Sequence, residues 1–169
     1  EYLETCKDKK EKGSFEYSNF GMGLLGHLLA LKTQTDFEIL IKQTVLIPLK
    51  MNQTTITGYD ILNTAQGYNE YGKPNTIWTD TVLTGAGSFL SNTHDMTLFI
   101  QAHLFDNSSI SASLRRTLAT QAGTKNGLGW MFPDWFDKFM GVKNMIWHNG
   151  MAGGYASFIS IDTTLKNGV

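Results

Sequence analysis

Helical periodicity in this sequence stops near Gly123, and the regular strand-like alternation lies beyond it. A helix-rich front and a strand-rich back predict an α+β fold, with helices and antiparallel strands in separate parts of one domain. Residues 1–123 form the helix- and loop-rich part and residues 124–169 the antiparallel strands. Residues 20–32 read as a helix with Leu24, Leu25, Leu28 and Leu29 on one stripe. Gly21, Gly23 and Gly26 each cost that helix about 1 kcal/mol against alanine, which predicts that another backbone passes close by. A second helix is predicted over 36–46, capped by Asp36, with Phe37, Leu40, Ile41 and Thr44 on one face and Pro48 ending it. A third spans 93–105, where Met96, Phe99, Ile100, His103 and Leu104 share a face. Asn92 stands as its N-cap, and Asp95 at the third position resembles a capping box. A shorter helix is predicted near 111–120.

The stretch from 50 to 90 is loop-rich, with Gly58, Gly67, Gly72, Pro74, Gly85 and Gly87. Loops this long in a compact domain tend to wrap a site. Strands are predicted over 127–132, 144–148 and 155–162. In the last, Tyr155, Ser157, Ile159 and Ile161 alternate with Ala156, Phe158 and Ser160. Asn167-Gly168 predicts a type I′ hairpin turn, with the returning strand starting at Val169. A hairpin with one arm predicts an incomplete domain, cut beyond this point.

Composition narrows the function classes. The chain has 169 residues, 41% hydrophobic and 17% charged, as in a globular domain with a core. Its net charge of -1 leaves no broad footprint for nucleic acid. The run Lys7 to Lys12 is broken by Asp8 and Glu11 and reads as a solvated face. Cys6 is the only cysteine, so neither an intramolecular disulfide nor a cysteine-paired metal site is possible. No run of about 20 apolar residues could cross a bilayer.

Two segments carry chemistry-bearing side chains. Tyr17-Ser18-Asn19 directly precedes the first helix, so a phenol and an amide two residues apart can project into a cleft. Taken alone, Tyr17 reads as a packed aromatic and Asn19 as a helix cap, since both far outnumber catalytic tyrosines. His148-Asn149-Gly150, followed by Met151-Ala152-Gly153-Gly154, places a strand with backbone N–H groups where they could face a substrate. Taken alone, it is an ordinary turn with a structural histidine. Gly85-Ala86-Gly87-Ser88 lacks the lysine of a phosphate loop and reads as a tight turn leading into the 93–105 helix. His27, His94, His103 and His148 form no HExxH or short ligand cluster, and no GxSxG elbow occurs. His103 reads as a core or boundary histidine. No Ser-x-x-Lys occurs; the nearest approach, Ser113 to Arg116, ends in a residue that stays protonated.

Taken together, these segments resemble the family of class C β-lactamases, D-alanyl-D-alanine carboxypeptidases and related esterases. Tyr17-Ser18-Asn19 with Leu24-Leu25-Gly26 is similar to its Tyr-x-Asn motif and following helix. Pro48-Leu49-Lys50-Met51 with Thr54, Ala65-Gln66-Gly67-Tyr68 with Gly72, and the Gly85 to Phe99 segment follow in the family's order. Gly127-Leu128-Gly129-Trp130 and His148-x-Gly150 with Gly154-Tyr155 complete the series. Lys50 stands where glycine is usual and Lys12 where proline often precedes Gly13.

The resemblance implies a β-lactamase/transpeptidase-like fold and a serine hydrolase working through an acyl-enzyme, with no cofactor and no metal. It implies Tyr17 as the phenolic acid/base, and His148 in place of the lysine of the family's strand motif. A protonated His148 would lower the Tyr17 pKa, each unit being about 1.4 kcal/mol. Asn19, Asn149 and Gly150 would bind substrate, and the Met151 N–H would be one oxyanion donor. The substrate would be a β-lactam, a D-Ala peptide or an ester, met outside the cytoplasm. The family's Ser-x-x-Lys, upstream of Tyr-x-Asn, has no counterpart here, so the chain alone is expected to be inactive. A non-catalytic ligand-binding or scaffold module, and pairing with missing segments or another chain, are the alternatives.

Overall fold

The computed structural model describes residues 15–78, 83–120, 126–139, 141–142 and 144–169. Cys6, the Lys7–Lys12 run, Gly13 and the 123/124 boundary lie outside the described residues. Helix α1, Asn19–Thr33, begins at Ser18, whose hydroxyl accepts the Gly21 N–H at 3.0 Å. Its leucine stripe does not face a core: Leu24, Leu25, Leu28 and Leu29 are exposed, while Gly23 and Gly26 are buried. The glycine face is covered by the turn Thr84–Ala86. A Cβ on Gly85 would lie 2.7 Å from the Met22 carbonyl oxygen and 3.2 Å from the Gly26 Cα. The expected backbone approach therefore exists, and it occupies the side opposite to the one the hydrophobic pattern indicates.

Asp36 caps α2, Phe37–Ile41, by accepting the Glu38 and Ile39 N–H groups. The helix does not stop before Pro48. It widens into a π segment, Lys42–Leu46, and continues as α3, Ile47–Leu49. A proline ring clashes with the carbonyl four residues earlier, and a widened turn relieves that clash. Lys50 ends the helix in the left-handed region, φ 60° and ψ 30°, where glycine carries the least strain.

Two carboxylates hold the loop that follows. Glu38 accepts hydrogen bonds from the Thr55 and Thr57 hydroxyls and the Ile56 and Thr57 N–H groups. Burial pushes its pKa up, but the bonds from Thr57, Ile56 and Thr55 outweigh it and hold the group at about 2, against an ordinary 4.5. Asp95, 1% exposed, accepts from the Gln53 N–H and the Thr54 hydroxyl, both at 2.8 Å. These bonds and neighbouring His94 outweigh desolvation and lower its pKa as well. The capping-box expectation for Asp95 is thus corrected. Asn92 caps α4, Thr93–Leu104, by accepting the Asp95 N–H, while the Asp95 carboxylate serves the distant loop.

Helix α4 joins two cores. Ala102 packs with Leu46, Leu49 and Met51, backed by α5, Ser111–Thr117, through Leu114. Ile100 and Leu104 pack with Trp130, Ile146 and Ile161 on the sheet side, and Phe99 packs against both clusters. His103, 1% exposed, lies 4.5 Å from the Phe99 ring and 5.3 Å from that of Trp130. Its Nδ1 donates to the Phe99 carbonyl at 2.9 Å, and burial lowers its pKa.

Gly67–Tyr68 (β1) and Pro74–Asn75 (β2) form a small antiparallel pair inside the loop-rich stretch. After α6, Trp135–Phe139, come β3, Met145–Ala152, and β4, Tyr155–Asp162, paired from Met145↔Asp162 to Ala152↔Tyr155. The 127–132 strand is reduced to one bridge, Met131↔Trp147. Asn167-Gly168 is not a turn but β5, paired with β4. The turn precedes it: Asp162 Oδ1 accepts the Thr164 and Leu165 N–H groups at 2.8 Å, and Lys166 takes φ 52°.

Candidate active site

The site is assembled from the N-terminal end of α1 and the middle of β3. Because Ser18 is the cap, Asn19 is the first helical residue rather than the cap. Its side chain is exposed and has no hydrogen-bond partner among the described residues. Tyr17, one residue before the cap, is 53% exposed, so it is not a packed core aromatic.

The turn Gly153–Gly154, with φ of 55° and 82°, sets the register of β3 and β4. A two-residue turn with positive φ at both positions is type I′ and makes its flanking pair, Ala152↔Tyr155, a hydrogen-bonded one. Outward-pointing main-chain groups therefore alternate along β3 at Trp147, Asn149 and Met151. Trp147 shows it directly: its N–H donates to Met131 O at 3.0 Å and its carbonyl accepts from Met131 N at 2.9 Å. Beyond that bridge, the outward N–H groups of Asn149 and Met151 have no partner among the described residues.

Residues opposite one another share a sheet face. Ile146 and Ile161 face the core, so His148 and Gly150 stand on that same face, with Ile159 and Ser157 opposite them. Tyr17 meets His148 there. The two ring centroids are 6.3 Å apart, with planes at 39°. Among the described residues a Cβ on Gly150 would meet only the Ser157 hydroxyl, at 3.4 Å, which leaves space beside the strand. The side chains of Asn149 and Met151 project from the opposite face, beside Phe158 and Ala156. What those two residues present at the outer edge of β3 is main chain.

The hairpin tip is held by the β1–β2 segment. Tyr68 N–H donates to the Gly154 carbonyl at 3.1 Å, and the Tyr155 hydroxyl donates to the Ala65 carbonyl at 2.6 Å. Gln66 Nε2 donates to the Gly67 and Asn75 carbonyls and closes the segment on itself. The role of the Tyr155 hydroxyl went unread in the sequence; its only signal was a tyrosine directly after two glycines. Of the other histidines, His103 is in the core and His94 is an exposed neighbour of Asp95 at 3.2 Å. Chemically, the arrangement offers a phenol, an imidazole beside it, and, among the described residues, a strand-edge N–H and a helix-start carboxamide that have no partner.

Comparison with known proteins bears on this geometry. A family model described as β-lactamase matches residues 3–169. A β-lactamase of Pseudomonas fluorescens is 31% identical over 127 residues, covering 69% of this chain and 35% of that protein. Among solved structures, a class C β-lactamase superposes with a TM-score of 0.82 at 20% identity, over 99% of this chain and 54% of its own. A D-alanine carboxypeptidase from Burkholderia cenocepacia gives 0.83 at 20% identity, over 99% and 58%. The mixed helical and antiparallel architecture is thus the β-lactamase/transpeptidase-like fold. The chain spans about a third of the length of the curated relative and just over half of the solved chains.

Proposed function

Because the chain belongs to the β-lactamase family, we propose that it forms one wall of the catalytic cleft of a serine hydrolase acting through an acyl-enzyme. The observation that carries this reading is the approach of Tyr17 to His148, 6.3 Å between rings, on the open side of β3. In this reading Tyr17 is the acid/base. It takes the proton from the attacking serine hydroxyl and returns it to the leaving group. His148 orients and electrostatically supports the phenol. Gly150 leaves room for the substrate, and the outward Met151 N–H is one of two donors to the tetrahedral oxyanion. Asn19 binds the substrate's amide through its carboxamide, and Asn149 borders the substrate through its main chain. The serine and the second oxyanion donor belong to a Ser-x-x-Lys segment, which this sequence does not contain. The substrate is a β-lactam, a D-Ala-type peptide or a small ester, met outside the cytoplasm.

A fluorescent penicillin tests the assignment. This polypeptide alone is expected to take up no covalent label, and stable labelling would overturn the external-nucleophile reading. In a protein that joins these residues to a Ser-x-x-Lys segment, Tyr17→Phe is expected to lower kcat by about 10²–10⁴-fold, the range of a lost general acid/base. Unchanged turnover would remove Tyr17 from that role. The lack of Ser-x-x-Lys also favours a second reading, a non-catalytic binding module. Saturable, reversible penicillin binding by a gene product without that motif would select it.

A further inference from the structure

We propose that Tyr155 is a positioning residue whose hydroxyl, latched to the Ala65 carbonyl, sets where the Met151 N–H stands over the cleft. The inference rests on the reading of that N–H as an oxyanion donor. The latch spans 90 residues of chain with a 2.6 Å bond between the hairpin and the loop-rich stretch.

The mechanics follow from where β3 is held and where it is free. Its inner end is fixed by Ile146, buried in the sheet-side core, and by the Trp147–Met131 bridge. At its outer end β3 is paired with β4, and the hairpin they form is seated through its turn. Gly153 is seated so closely that a Cβ would lie 2.5 Å from the Thr76 carbonyl oxygen and 2.8 Å from the Trp78 nitrogen. A Cβ on Gly154 would lie 2.7 Å from the Tyr68 nitrogen. A Cβ on Gly67 would lie 2.6 Å from the Gly153 oxygen and 2.7 Å from Tyr155 Cε2, so the tyrosine ring fills the seat behind the tip. Between these supports the outer edge of β3 has no partner at Asn149 and Met151 among the described residues. β3 is paired with β4 along its whole length, so the two move as one hairpin, and a hairpin held at its base and at its tip takes its position from those supports. Removing one support shifts the free N–H without unfolding the sheet. Oxyanion donors act only within a narrow distance of the developing charge, and a misplacement of about 1 Å can cost about 10²-fold.

The experiment compares wild type, Tyr155→Phe and Tyr17→Phe in the full-length protein that carries these residues, with a chromogenic cephalosporin and a p-nitrophenyl ester as probes. Tyr155→Phe deletes only the oxygen and is expected to lower kcat about 10-fold while KM stays within about twofold, as for an interaction made in the transition state. Amide exchange is read in parallel. The Tyr68 and Tyr155 amides should exchange about 10-fold faster, the scale of one neutral hydrogen bond, while Ile146 and Ile161 stay protected. Gly67→Ala, which crowds the same seat, should reproduce both effects. Wild-type kcat in Tyr155→Phe, or unchanged exchange at Tyr68, would overturn the latch. If Tyr17→Phe keeps full turnover, the catalytic reading fails instead, and amide exchange still decides whether the latch holds the tip.

Discussion

Glu38→Gln measures how firmly one carboxylate organises the 53–57 loop. The side chain receives four hydrogen bonds, including Ile56 N–H at 2.8 Å and the Thr57 hydroxyl at 2.6 Å. An amide keeps one acceptor oxygen, puts an NH₂ donor where the other stood, and loses the charge that strengthens each bond. Lowering the pKa from 4.5 to about 2 corresponds to about 3 kcal/mol at about 1.4 kcal/mol per unit. Glu38 is only partly buried, and solvent screening reduces this to about 1–2 kcal/mol. Because the folded pKa is depressed, the contribution is complete above the unfolded value near 4.5 and is lost as pH falls through about 2. Urea unfolding followed by tryptophan fluorescence should therefore show a constant gap between wild type and variant from pH 8 to pH 5. The gap should shrink by about half or more by pH 3. No gap at pH 7, or an undiminished gap at pH 3, would refute the reasoning.

Four further outcomes can be measured in the same way. Burial holds His103 neutral with its pKa lowered from 6.5, so its protonation favours the unfolded chain. Stability should be complete above about pH 6.5 and decline below it, and His103→Leu should lose that slope between pH 7 and pH 5. Asp95→Asn should cost about 1–3 kcal/mol in urea unfolding, because Gln53 N–H and the Thr54 hydroxyl lose a charged acceptor. Gly85→Ala should cost about 1–3 kcal/mol by thermal melting, since the new methyl group meets backbone at 2.7 Å. Lys50→Gly should instead stabilise by about 0.5–1 kcal/mol, as it relieves a left-handed backbone at φ 60°.

What the sequence disclosed, and what it hid, divides along physical lines. Caps and periodicity are local, so Asp36 and Asn92 and the extents of α1 and α4 were readable directly. The face that α1 buries was not: a glycine face wins where another backbone comes close, and that closeness is tertiary. Pro48 looked like a stop because the π segment that accommodates it leaves no signature in the sequence. Asn167-Gly168 looked like a turn, but Asp162 makes the turn earlier. Gly168 is required because Ile100 Cγ2 and the Ser160 oxygen lie 2.7 Å from where its Cβ would stand. In the candidate site, the residue types were legible through the motif order. The meeting of Tyr17 with His148 was not, since it depends on how distant elements pack. Strand register, which turns the main chain of Asn149 and Met151 to the outer edge of β3, required the position of the Gly153–Gly154 turn.

Phe99 leads to a consequence for how the molecule comes apart. One ring belongs to both hydrophobic clusters, the helical one around Leu46 and Ala102 and the sheet-side one around Ile161. Neither half can lose its packing without stripping contacts from the other. Melting should therefore be a single cooperative event, recorded alike by helix dichroism and tryptophan emission. A nick between the two halves should release no piece that stays folded.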